Sequence, residues 1–128
     1  MDPRIQTTID TMYRLMNTHL SIRALSANVS LSPRRLAHLF RVELGVPPRQ
    51  YLKALRMDRA QSLLHTSFLS VKEITFQSGF TNVSHFVRDF KKLHGATPSE
   101  FRSKVDQSPR GTNATFEEPN TLTKGRSR

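Results

Sequence analysis

Cysteine is absent from the 128 residues, which removes disulfides, thiolate zinc sites and any cysteine nucleophile. That composition suits a reducing cytoplasm. No window approaches the roughly 18 consecutive apolar residues of a membrane span. The opening M-D-P-R-I-Q-T-T-I-D also lacks the basic-then-apolar pattern of a secretory signal. The five histidines (His19, His38, His65, His85, His94) and ten carboxylates form no H-E-x-x-H, and neither G-x-S-x-G nor a Walker loop occurs. An enzyme is not expected, nor a cofactor or a bound metal. Apolar residues make up only 36% of the chain, so any core is modest. Acidic residues are scarce: ten against twenty basic ones give a net charge of +10 and a pI near 11.1. Such an excess favours a polyanion, nucleic acid ahead of an anionic membrane surface.

Strand signals are nearly absent too, and helix punctuation is dense. Asp2-Pro3 reads as an N-cap followed by proline at the first helical position. Ile5, Ile9, Met12 and Met16 then share one face. Ser21 can cap a short helix over roughly 22–28, with Ile22 and Leu25 inward. Ser32-Pro33 opens a helix to about Leu44, stopped by Gly45, and Pro47-Pro48 opens a longer one through about His65. Ser70-Val71-Lys72-Glu73 is a capping box for a helix ending at Gly79. The next helix runs from Asn82 to Gly95, and Thr97-Pro98-Ser99-Glu100, a second capping box, starts the last. Seven helices and an all-α fold are expected. Beyond about Asp106 the chain is polar, with only Phe116 and Leu122 large and apolar, and it reads as a disordered tail. Residues 1–106 hold 16 basic and 8 acidic residues, so most of the excess charge belongs to the helical part.

The chain also matches itself. Leu20-Ser21-Ile22-Arg23 aligns with Leu69-Ser70-Val71-Lys72, Leu25 with Ile74, and Ser30-Leu31 with Gly79-Phe80, all at an offset of 49. Leu36, Phe40, Arg41, Gly45, Pro48 and Tyr51 then align with Phe86, Phe90, Lys91, Gly95, Pro98 and Phe101 at an offset of 50, Thr81 being the extra residue. Each unit is a short helix, a turn of three or four residues and a second helix, the arrangement that lays its second helix in a DNA major groove. Stacked helical repeats are the alternative, but only two copies joined by a long helix argue against a solenoid. At 100° per residue, Leu36, Leu39 and Phe40 group on one side of the first second-helix, and Phe86, Phe90 and Leu93 on one side of the other. Opposite them lie Arg34, His38 and Arg41, flanked by Arg35 and Ala37, and Ser84, Arg88 and Lys91, flanked by His85, Val87 and Lys92. Glu43 and Asp89 fall off-centre. Two basic faces at matched positions are more than a solvated surface needs.

With those residues in view, the chain resembles the AraC/XylS family of bacterial transcription regulators. Leu69 to Arg102 follows its signature through G-F, S-H-F, R-D-F-K, G and P-S-E-F-R, and L-S-P-R-R-L-A-H-L-F and Y-L-K-A-L-R-M-D-R-A-Q-S-L-L agree with its other parts. About residues 4–104 are covered. Ser26 and Thr75 stand where the family usually has alanine, and Val87 where a polar residue is common. The resemblance implies two helix-turn-helix lobes on a long helix, with reading helices in successive major grooves. The expected division is 1–47 and 67–106 for the lobes, 48–66 for the linker helix and 107–128 for the tail.

Base-edge candidates are Arg34, Ala37 and His38 in the first lobe and Ser84, Val87 and Arg88 in the second. The arginines suit guanine O6 and N7, with a phosphate contact the alternative for Arg34; Ala37 and Val87 suit a thymine methyl, and a plain surface position is the alternative for His38 and His85. Backbone-contact candidates are Ser21, Arg35, Arg41, Ser70, His85, Lys91 and Lys92, with Arg102 and Lys104 weaker. The expected partner is double-stranded DNA, with RNA polymerase as a candidate second partner, and the chain is expected to be a cytoplasmic, nucleoid-associated monomer. Activation is the common outcome in the family. A nonspecific nucleoid-type binder or a protein-interaction module is the alternative. With only about 100 family-like residues, the chain reads as a small stand-alone regulator or as a piece of a longer one, Met1 favouring the former.

Overall fold

Seven helices form where the local chemistry starts and stops them. The computed structural model describes residues 1–107, so the expected tail lies outside the described residues. In order, the helices are α1 (Pro3–Leu15), α2 (Ile22–Asn28), α3 (Pro33–Leu44), α4 (Pro48–Thr66), α5 (Val71–Gln77), α6 (Val83–His94) and α7 (Pro98–Gln107). No strand occurs among the described residues. The side chains of Asp2, Ser21, Ser32 and Asn82 each accept a backbone N–H at the start of their helix. Ser70 and Glu73 close the expected capping box, Ser70 Oγ accepting from Glu73 N at 3.0 Å and Glu73 Oε1 from Ser70 N at 2.8 Å. These bonds satisfy donors that a helix start otherwise leaves open.

The two turns repeat bond for bond. In the first, Ser30 N donates to Ala27 O and Leu31 N to Ser26 O; in the second, Gly79 N donates to Phe76 O and Phe80 N to Thr75 O. This pair of bonds is the Schellman closure, and it places one residue in the left-handed region. That residue is Ser30 at φ +58° in the first turn and Gly79 at φ +95° in the second. The second turn spans five residues between helices, one more than the first, because of Thr81. Ser26 and Thr75 are buried, and their hydroxyls donate back to Arg23 O at 3.0 Å and Val71 O at 2.8 Å. The departures from alanine are thus absorbed within their own helices.

Residues 1–98 form one compact unit, which contains both helix–turn–helix repeats. Its first core gathers Ile5, Ile9, Met12 and Met16 of α1, Leu25 of α2, Leu36 and Phe40 of α3, and Leu52 and Leu55 of α4. A second buried set comprises Met57, Ala60 and Leu64 of α4, Ile74 of α5, Phe86 and Phe90 of α6, and Ala96. The two groups on α4 lie roughly 140° apart around its axis at 3.6 residues per turn. This is why α4 shows no single apolar stripe: its first half faces one core and its second half the other.

One inward assignment fails. Leu93, expected beside Phe86 and Phe90, is 63% exposed. The inward place is taken by His94, whose ring lies 4.2 Å from that of Phe90. Leu93 sits instead at the rim of a recess lined by Gln50, Lys53, Met57 and Lys92, among others.

Candidate nucleic-acid interface

The second helix of each repeat, α3 and α6, presents its polar side to solvent. On α3, Arg34, Arg35, His38 and Arg41 are exposed and Ala37 is half-buried at the edge of the face. On α6, Ser84, His85, Arg88, Lys91 and Lys92 are exposed, with Val87 half-buried in the place that matches Ala37. The inward residues that hold these faces out are Leu36 and Phe40 on α3 and Phe86 and Phe90 on α6, all buried to within 1%.

Each of these two helices carries one acidic residue, and both are tied aside. Glu43 of α3 accepts from the Asp2 backbone N–H at 3.0 and 3.3 Å, which joins the end of α3 to the start of α1. Asp89 of α6 pairs with Lys53 of α4 at 3.0 Å. The hydrogen bond from Lys53, before a weaker one from Arg88, holds the Asp89 carboxyl below its usual range. Arg88 approaches Asp89 only at 3.4 Å and stays 65% exposed. Its guanidinium therefore keeps most of its donors for another partner.

Ser21 and Ser70 are exposed at the starts of α2 and α5. Both hydroxyls are used as caps, accepting from Ala24 N at 3.0 Å and Glu73 N at 3.0 Å. The starts differ in charge: α5 has Glu73 in its first turn and α2 has no acidic residue there. A phosphate approaching α5 meets a carboxylate already on the Ser70 N–H, whereas α2 offers it no such competitor. Of the weaker candidates, Arg102 is half-buried and Lys104 exposed on α7.

The sequence reading missed Lys53, Arg56 and Arg59, three basic residues of α4 turned toward other helices. Arg56 donates to Met16 O at 2.9 Å and Thr18 O at 3.2 Å, and Arg59 donates to Gln77 O at 3.1 Å. Nothing in the sequence marks them: α4 also carries Arg49, Gln50, Asp58, Gln61 and His65, so its polar residues do not single these three out. Among the described residues no cluster of His, Asp and Glu could hold a metal ion, and no helix is long and apolar enough to cross a membrane.

A family model described as a helix-turn-helix domain matches residues 25–104, more than half of the chain. The arabinose operon regulatory protein of Salmonella typhimurium is 36% identical over 104 residues, which is 80% of this chain and 37% of that protein. The chain belongs to the AraC/XylS family. Members of this family are transcription regulators with a DNA-binding domain, not enzymes, and the all-α tandem fold is theirs. The Escherichia coli arabinose operon regulatory protein is 33% identical over 84% of this chain, again 37% of its own length. The AraC-type chain thus spans little more than a third of these relatives. Among solved structures, the DNA-binding domain of AdpA in complex with a target DNA is similar at a TM-score of 0.77 and 28% identity, covering 87% of this chain and all of that one. An AraC-type regulator from Chromobacterium violaceum gives a TM-score of 0.75 at 29% identity, with 84% and 96% covered.

Proposed function

We propose that the chain is a sequence-specific binder of double-stranded DNA that regulates transcription from the bacterial cytoplasm, placing α3 and α6 in successive major grooves. The observation that carries this reading is the pair of exposed basic faces at equivalent positions of the repeat, each with its one acid drawn off by another element. Arg34, Ala37 and His38 read base edges from the first lobe, and Ser84, Val87 and Arg88 from the second. Arg35, Arg41, His85, Lys91 and Lys92 hold phosphates, with Ser21 a better backbone contact than Ser70, whose N–H already serves Glu73. Residues 1–47 and 67–106 act as the lobes and 48–66 as the linker. A helix of 19 residues is about 28 Å long, close enough to the ~34 Å between adjacent grooves for lobes at its two ends to span it. The chain binds as a monomer, with RNA polymerase as its second partner; the reading as an activator is supported by likeness to relatives such as the HTH-type transcriptional activator RhaR of Salmonella heidelberg, 40% identical over 77 residues.

The test is selection of DNA from a random pool by the purified chain, followed by footprinting. Two protected major-groove segments about 10–10.5 base pairs apart are expected. Protection of one groove, or equal competition by random DNA, overturns the reading.

A further inference from the structure

Reading two grooves at once requires a fixed distance and twist between the lobes. Packing of both cores on α4 supplies part of this, and a direct link between the lobes would fix the rotation that apolar packing leaves soft. A second connection is present where α4 passes from one core to the other. Arg56 donates from Nε to Met16 O at 2.9 Å and from Nη2 to Thr18 O at 3.2 Å. These carbonyls follow the last turn of α1, where helix carbonyls lack partners of their own. Gly79, in the turn of the second repeat, lies against the same group: a Cβ there would collide with the Met16 carbonyl and with Arg56 Nε. Three segments distant in sequence therefore meet at one carbonyl: the end of α1, the middle of α4 and the turn before α6. Three residues further along α4, Arg59 donates to Gln77 O at the end of α5. Two arginines of α4 thus hold the end of α1, which packs on the first repeat, and the end of α5 in the second.

Burial lowers the Arg56 pKa, yet a guanidinium keeps its charge through the whole working range. Its planar fork reaches two carbonyls at fixed angles, which an ammonium or an apolar side chain cannot reproduce. Gly79 has no side chain to push the second turn away. The contact is consequently stiff in both distance and rotation.

We propose that Arg56, seated between the Met16 carbonyl and Gly79, is a positioning residue that fixes the spacing between half-sites the chain accepts. This rests on the two-groove reading above. Arg56 touches no base in it; the residue acts by holding α3 and α6 in one mutual setting. One inserted base pair moves a half-site by roughly 3.4 Å and turns it by about 35°, a shift that a swivelling linker would tolerate and a clamped one would not.

The experiment measures binding of the wild-type chain and of Arg56→Met to the selected operator and to versions with one base pair added or removed between half-sites. The wild type should lose about 30-fold on either change, on the scale of a mismatched base pair. Arg56→Met should bind the original spacing more weakly and lose less than about 5-fold on changing it. A uniform loss at all spacings, with the steep dependence retained, marks a merely structural residue and overturns the proposal. A wild-type footprint on one groove overturns the function reading itself, so the two failures are distinct. Should Arg56→Met fail to fold, Arg56→Lys, a point donor, is expected to fall between the two, and wild-type behaviour would equally overturn the proposal. An independent readout uses the absence of native cysteine: spin labels at Asn28→Cys and Lys72→Cys, both exposed, should give a narrow distance distribution that broadens in the Arg56 variant. An unchanged width argues against the clamp.

Discussion

The first repeat turns at Ser30 and the second at Gly79, with the same two backbone bonds around each. Their interiors differ. The first core is mostly aliphatic and sulfur-bearing, with Phe40 meeting Tyr51 edge-on at 5.8 Å. In the second, Leu31, Leu36 and Leu44 are replaced at the matched positions by Phe80, Phe86 and His94. A run of rings results: Phe80–Phe86 at 4.9 Å, Phe86–Phe90 at 5.8 Å and Phe90–His94 at 4.2 Å. The second repeat also has Ser78 where the first has Val29, and Asp89 where the first has Leu39. The motif is thus held by its turn and caps, and the core chemistry is free to change. The repeat with more polar groups inside is also the one supported from α4 by Lys53 and Arg59.

The turn should separate the two repeats most sharply. Gly79→Ala combines a left-handed backbone with a collision against Met16, so it should cost about 3 kcal/mol or more in denaturant unfolding. Ser30→Gly, which relieves a left-handed serine, should stay within about 1 kcal/mol of wild type. Similar costs for both would mean that the close approach at Gly79 contributes nothing. On DNA, Arg88→Ala should weaken operator binding by about 1–3 kcal/mol and relax preference at one position, whereas Lys91→Ala should weaken all sequences alike and flatten the salt dependence. Binding to operator and random DNA separates these, and equal losses for Arg88→Ala would remove it from base reading.

Ser78 offers a smaller test in the opposite direction. It is fully buried, and its hydroxyl has no hydrogen-bond partner among the described residues. Ser78→Ala, which makes the site resemble Val29 of the first repeat, should raise stability by roughly 1 kcal/mol in thermal or urea unfolding. The smallest effect is expected from pH. Burial, partly opposed by Asp58, holds His94 below its ordinary value of 6.5. The unfolded chain then takes up a proton before the folded one does, so stability should fall as pH drops below about 6.5 and level off once folded His94 is protonated. His94→Leu, matching Leu44, should flatten that slope between pH 7 and 5. An unaltered slope would assign it elsewhere.

Helix boundaries were legible because caps are local chemistry: Ser21, Ser32, Ser70 and Asn82 act within three residues of themselves. The repeat made the matched turns legible, including the equivalence of Ser30 with Gly79. The basic residues of α3 and α6 were assigned outward from periodicity, and the structure places them on the surface. Periodicity misled at Leu93 because an angular rule does not say where a core ends along the axis, and the ring of His94 stacks on Phe90 in its stead. Lys53, Arg56 and Arg59 were not legible at all. Their partners are backbone carbonyls and a carboxylate up to 40 positions away, and sequence spacing carries no information about such contacts.

The division of α4 between two interiors bears on how the molecule comes apart. Leu55 belongs to one buried set and Met57 to the other, so less than a helical turn separates their shares of the rod. Melting either interior frays the support of its neighbour, and cutting the chain anywhere in that rod strips side chains from one of them. Residues 1–98 should consequently lose structure in one cooperative step, and limited proteolysis should release no lasting half-molecule from within them.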